Sequence, residues 1–152
     1  VGQRKGCMFL GQYNHTLDDK GRITIPSRFR DELRGEIVLT RGLDRCLVLY
    51  PMAVWEELAQ KVNALPITDP RGRALRRVFF ADAANMVPDR QGRILVPDRL
   101  REYAGLDLNN EAVVVGLDRF LELWEPQRWN EENTRQMDIL QETPALWENL
   151  QI

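Results

Sequence analysis

Residues 18–26 read DDKGRITIP and residues 89–97 read DRQGRILVP. A nine-residue pattern written twice in a chain of 152 residues leaves few folds open to it. With Gly21 set on Gly92, an offset of 71, Asp18 meets Asp89, Arg22 meets Arg93, Ile23 meets Ile94, Pro26 meets Pro97, Arg28 meets Arg99 and Arg30 meets Arg101. A second block follows in each copy. GLDRCLVLYPMAVWEE, from Gly42, matches GLDRFLELWEPQRWNE, from Gly116, at an offset of 74. The change in offset places about three extra residues in the middle of the second copy, at LDLNNE. Two blocks repeated in the same order mark an internal duplication.

Each copy has a physical reading. Leu17 precedes a polar loop in which Gly21, or Gly92 in the second copy, supplies the positive φ that a tight hairpin needs. Ile23 and Ile25 then alternate with Arg22 and Thr24, the period of a half-buried strand. Pro26 ends that strand and suits the first turn of a short helix, PSRFRDEL; the second copy offers PDRLREYAG, with Gly105 placed to stop it. EIVLT and CLVLYP, and later AVVVG and FLELWE, read as strand pairs joined by hairpin-sized loops. A longer helix closes each copy, after Pro51 with Trp55, Leu58, Ala59 and Val62 in one stripe, and from about Pro126 towards Leu140. Asp69 and Pro70 mark the cap and first position of a helix between the copies, and the tail ETPALWENLQI fits a short amphipathic helix. A unit of about four short strands cannot hide its apolar face alone. Two such units complete each other as a pseudo-symmetric barrel, so the expected class is mainly β with flanking α-helices.

Composition narrows the function. No apolar run approaches the roughly 20 residues that cross a bilayer. Val1–Cys7 carries Arg4 and Lys5 without an apolar run behind them, so it does not read as a secretory signal. Two cysteines, Cys7 and Cys46, cannot build a disulfide framework, and Cys46 in RCLVLYP reads as a small buried apolar residue. With one histidine, His15, the chain is poorly supplied for zinc or nucleophilic catalysis, so no cofactor or metal is expected. Asp18–Asp19 and Glu131–Glu132 could be taken as acid–base pairs, but no phosphate loop or nucleophile elbow accompanies them, and the chain is not read as an enzyme. Charge is uneven. Through Arg101 there are 18 Lys and Arg against 12 Asp and Glu; beyond it, 3 against 11. A basic front suits an anionic partner, although a run of acidic helices late in the chain gives the same count.

Arg22 and Arg93 are the candidate binding residues, and their sequence neighbours allow two readings. Each could clamp its own loop through Asp18 or Asp89. Each could instead present a guanidinium to phosphate or to guanine in the major groove, where a two-stranded ribbon fits. Arg71, Arg73, Arg76 and Arg77 read as a solvated helix face or as partners for acids of a neighbouring subunit. His15 is given a hydrogen-bonded structural role. An oligomeric scaffold without DNA readout is the alternative to a DNA binder.

MFLGQYNHTLDDKGRITIPSRFRDEL, DRQGRILVPDRLREYAGL and VVVGLDRFLELWEPQRW closely resemble the MraZ family, with the motifs in order from Met8 to about Trp129. The resemblance implies a duplicated SpoVT/AbrB-type domain and a swapped-hairpin β-barrel. The repeats would span 12–54 and 83–127, with connecting helices at 55–82 and a helical tail at 128–152. It implies a bacterial transcriptional regulator, cytoplasmic and nucleoid-associated, forming ring-like homo-oligomers. Such a ring would bind double-stranded DNA at direct repeats near the promoter of the division and cell-wall gene cluster, its own gene included. No membrane or small-molecule substrate is implied. The family's DNA-facing D-x-x-G-R arginine matches Arg22 and Arg93, with Lys20 and Arg90 beside them in their loops. Asp18, Asp89, Gly21 and Gly92 would orient those loops. Gln91 stands where Lys20 would repeat, and Arg90 where Asp19 would, so the two loops are unequal.

Overall fold

The fold is built by exchange between the two copies. A computed structural model of the protein describes residues 8–151; Val1–Cys7, with Arg4, Lys5 and Cys7, lies outside them, as does Ile152. The first copy supplies β1 (Phe9–Thr16), β2 (Arg22–Thr24), two 3₁₀ turns (Ser27–Phe29 and Asp31–Leu33), β3 (Ile37–Arg41), β4 (Leu47–Pro51) and α1 (Met52–Asn63). Helix α2 (Pro70–Phe80) bridges to the second copy. That copy supplies β5 (Ala84–Met86), β6 (Arg93–Leu95), α3 (Asp98–Ala104), β7 (Glu111–Asp118), β8 (Leu121–Trp124) and α4 (Pro126–Gln141), followed by α5 (Pro144–Leu150).

Six strands form one antiparallel sheet in the order β1-β7-β8-β4-β3-β5, and β2 pairs with β6 in a separate ribbon. The order reads the same from either end when the copies are exchanged. The first strand of each copy leaves its own unit and pairs with the other: β1 with β7, β5 with β3. The two central pairings are self-matched. In the ribbon Ile23 faces Ile94, and between β4 and β8 Val48 faces Glu122; both are repeat-equivalent positions. An approximate two-fold axis therefore passes through both pairs. Among the described residues the strand hydrogen bonds do not close into a ring. The architecture is an open sheet, mainly β with flanking helices, with the ribbon packed over its inner face.

One core holds the copies together. Phe9, Leu17, Ile23, Phe29 and Leu39 of the first copy pack with Ile94, Leu100, Leu106, Val114 and Leu123 of the second, all essentially excluded from solvent. Burial of each such side chain contributes on the order of 1.5–3 kcal/mol. The swap means neither half keeps a core when separated. On the outer face Val113, Val115 and Trp124 lie under Trp129 of α4, and Trp124 and Trp129 approach at 5.6 Å. Helices α1 and α2 cover β3 and β4 from the same side: Trp55 meets Tyr50 at 5.8 Å and Phe80 at 5.7 Å, and Thr40 Oγ1 donates to the Phe79 carbonyl at 2.8 Å. Burial on two faces explains why β3, β4 and β7 read as unbroken apolar runs.

Local signals behave as expected with one exception. Asp69 caps α2 by accepting from the Arg71 amide at 2.9 Å, with Pro70 at the first position. Gly105 ends α3 at φ +69. PSRFRDEL, expected as one helix, is instead two 3₁₀ turns. Arg34 occupies the position equivalent to Gly105 and is extended, at φ −70 and ψ 143, and the positive-φ residue comes one place later, at Gly35 (φ +81). In the Trp55–Val62 stripe Val62 is buried, while Trp55, Leu58 and Ala59 are half-buried. Three of the four arginines of α2 have partners within the subunit. Arg71 pairs with Asp69 at 2.9 Å, Arg73 donates to the Ile67 carbonyl at 2.8 Å, and Arg76 donates to the Asn63 and Leu65 carbonyls at the end of α1.

Candidate nucleic-acid interface

Each loop before the ribbon is a tight turn wound around one carboxylate. Asp18 Oδ1 accepts from the backbone amides of Lys20 (2.9 Å) and Arg22 (2.8 Å), and Oδ2 accepts from Arg22 Nε at 2.7 Å. The second copy repeats this: Asp89 Oδ1 accepts from Gln91 and Arg93 amides, both at 2.9 Å, and Oδ2 from Arg93 Nε at 2.7 Å. The Gly21 and Gly92 amides close the turns onto the Asp18 and Asp89 carbonyls. Both glycines sit at positive φ, +83 and +75, where a β-carbon would be strained. The Arg22 amide bond, helped by its guanidinium, pulls the Asp18 carboxyl down to about 2; Asp89 is lowered for the same reasons.

The loops are also tied across the copies. Ile25 donates its amide to the Gly92 carbonyl at 2.8 Å, and Val96 donates to the Gly21 carbonyl at 2.9 Å. Each loop therefore continues the other copy's strand, and the two stand at opposite ends of one ribbon. Ile23 and Ile94 point into the core, so Arg22, Thr24, Arg93 and Leu95 line the outer face. Arg22 faces Leu95 and Arg93 faces Thr24, which makes the two arginines diagonal neighbours, about 7–8 Å apart.

The structure thus brings Arg22 and Arg93 onto one surface and keeps Lys20 and Arg90 exposed at its two ends. The ion pair and the open surface coexist. Asp18 and Asp89 hold Nε, the inner nitrogen of the guanidinium, while each arginine side chain stays 30% exposed. A guanidinium fixed at Nε still has its forked end for a second, bidentate partner. Leu95, half exposed beside Arg93, adds an apolar contact to the same face.

Arg30 was not visible as part of this site. A β-carbon on Gly92 would stand 2.6 Å from Arg30 Nε, so the first copy's arginine lies against the second copy's loop. The repeat supplies the signal, since Arg30 and Arg101 share the loop offset, but only the swap shows which loop each one touches.

Other chemistry is thin. Among the described residues no group of three or more His, Cys, Asp or Glu could hold a metal ion. Cys46 is buried, and burial beside Glu122 pushes its thiol far up, away from reactivity. His15 is half-buried, and burial together with the Arg30 charge lowers its pKa. Among the described residues no helix is long and apolar enough to cross a membrane.

The family model described as "MraZ protein, putative antitoxin-like" matches twice, over residues 8–78 and 79–143. "Transcriptional regulator MraZ" of Thermomicrobium roseum is 57% identical over 122 residues, 80% of this chain and 84% of the relative. The protein of the same name from Herpetosiphon aurantiacus is 51% identical over 143 residues, 94% of this chain and 96% of the relative. That from Halothermothrix orenii is 45% identical over 145 residues, 95% of this chain and all of the relative. Two consecutive matches to one family model, and relatives aligned over nearly the whole length, leave one conclusion: the chain belongs to the MraZ family.

Proposed function

We propose that this protein is a DNA-binding transcriptional regulator that reads duplex DNA with the β2–β6 ribbon and the loops at its ends. The observation that carries the reading is the pair of outward arginines, each clamped at Nε by its own loop carboxylate, on a ribbon narrow enough for the major groove. Arg22 and Arg93 contact guanine or phosphate. Lys20 and Arg90 neutralise phosphates on either side. Asp18, Asp89, Gly21 and Gly92 hold the loops in shape. The relatives' name, transcriptional regulator, points the same way. The protein acts in the cytoplasm, on the nucleoid, and is not an enzyme.

Repeats at 12–54 and 83–127 form the DNA-reading body, with 55–82 and 128–152 as helical additions. One subunit offers few cations on its ribbon loops and carries a net charge of −2, so its single-site affinity is low. Copies arranged in a ring place several ribbons on direct repeats and gain avidity without new contacts. The proposed target is the promoter region of the division and cell-wall gene cluster that includes its own gene.

Titrating the protein into a labelled duplex spanning the region upstream of its own gene, against a scrambled duplex of equal composition, tests this. The expected result is tighter binding to the upstream duplex, weakening steeply with salt. Equal or absent binding, with an intact oligomer by light scattering, would favour an assembly scaffold.

A further inference from the structure

The ribbon is close to two-fold symmetric, but the charges at its two ends are not. At one end, beside the second loop, Arg30, Arg34, Asp89 and Arg90 line a cleft of about 290 Å³. Arg28 and Arg30 also share an adjoining hollow with His15. Their hydrogen-bond partners are neutral: Arg28 Nη1 donates to the Tyr13 hydroxyl at 2.7 Å, and Arg30 Nε donates to the Ile25 carbonyl at 3.1 Å. Among the described residues neither makes an ion pair. Arg34 pairs with Asp31, but both side chains are more than 80% exposed, so water screens the pair.

The repeat offset gives each residue a counterpart at the other end. There, the equivalents of Arg28 and Arg30 meet carboxylates. Arg99 Nη1 lies 3.5 Å from Asp82 and Arg101 Nη2 lies 3.0 Å from Asp98. Ser27 and Gly11 occupy the positions equivalent to Asp98 and Asp82, so the first end has no such acids. Arg90 is matched by Asp19 and Arg34 by Gly105. Both exchanges remove positive charge from the second end, and Lys20, where the first end has Gln91, returns one.

We propose that the Arg28–Arg30–Arg34–Arg90 end is a clamp for the phosphate backbone of duplex DNA, which gives the near-symmetric ribbon a single polarity on its site. The proposal rests on the DNA-binding reading above. Cations beside a base-reading element fix register and orientation without reading sequence. An even ribbon would dock in either direction along a groove. An uneven one favours the direction that lays the arginine-rich end along a strand, and direct repeats demand one direction for every subunit.

The test is the slope of log binding constant against log salt, measured by anisotropy on the upstream duplex and on a scrambled duplex. Arg28→Gln/Arg30→Gln should flatten the slope by about 1.8 for each subunit in contact with DNA, and weaken both duplexes by the same factor. Arg28→Gln alone, which leaves the Arg30–Gly92 contact intact, should flatten it by about 0.9. Arg99→Gln, at the equivalent position of the other end, should leave it unchanged. Unaltered slopes in both Arg28 variants, or an equal loss in Arg99→Gln, would overturn the clamp. Binding that still failed in Arg22→Ala/Arg93→Ala would then leave the ribbon reading standing. No salt-dependent binding by the wild type would sink both.

Discussion

A guanidinium gripped at Nε by a carboxylate is a positioned tool, and Asp18 and Asp89 do the gripping. Asp18→Asn keeps the loop's backbone acceptor but loses the charged clamp on Arg22. DNA affinity should fall about tenfold, the scale of one charge-assisted hydrogen bond, while the circular dichroism spectrum stays unchanged; a titration beside wild type checks it. The same residue sets a pH dependence. Its folded pKa is about 2 against an ordinary 3.8, so the carboxylate stabilises the fold above pH 3.8. That stabilisation is lost as the pH falls through about 2. Melting curves of wild type and Asp18→Asn should therefore differ at pH 5 and converge towards pH 2. At this scale the sequence was informative: D-x-x-G-R announced both the carboxylate and the positive-φ glycine. It left open whether the arginine served its own loop or a ligand. The geometry leaves room for both, because Asp18 and Asp89 take Nε and each side chain stays 30% exposed.

At the scale of elements, the swap brings some strands into close backbone approach. Gly116 of β7 lies so close to β1 that an added β-carbon would stand 2.6 Å from the Phe9 carbonyl carbon and 2.7 Å from the Leu10 nitrogen. Backbone cannot step aside cheaply. Gly116→Ala should cost about 2–3 kcal/mol in urea unfolding. Its repeat equivalent, Gly42→Ala, meets the Cys46 Sγ at 2.7 Å, where a side chain can turn, and should cost less. A second test concerns Glu122, at the two-fold position of β8, where burial raises the carboxyl pKa despite a 2.9 Å bond from Trp124 Nε1. The folded state then favours the protonated form, so wild-type stability rises as the pH falls towards 4.5. Glu122→Gln should raise the melting temperature at pH 7, with the gain vanishing below pH 4.5. Strand and helix positions were largely legible from period, Pro and Gly. The pairing of β1 with β7 and of β5 with β3 was not, since alternation fixes a strand's buried face but not its neighbour. Residues 27–33 form two 3₁₀ turns where the second copy has α3, a difference that the shared Pro and the apolar spacing of PSRFRDEL did not show.

At the scale of the whole molecule, duplication places two copies of one loop at the ends of a single ribbon, so neither copy owns the surface. The repeat foretold that the halves complete each other. It did not show that Arg22 and Arg93 become diagonal neighbours, which depends on the β2–β6 register. The central claim is that these two arginines together are the DNA-reading element. The most direct measurement is the affinity of Arg22→Ala/Arg93→Ala for the upstream duplex across a salt series, after light scattering shows the same oligomer as wild type. The account predicts loss of preference for the upstream over the scrambled duplex and a fall in affinity of at least about thirtyfold, from about 1–3 kcal/mol at each of two base contacts. Unchanged affinity and preference in a variant with an intact oligomer would contradict it.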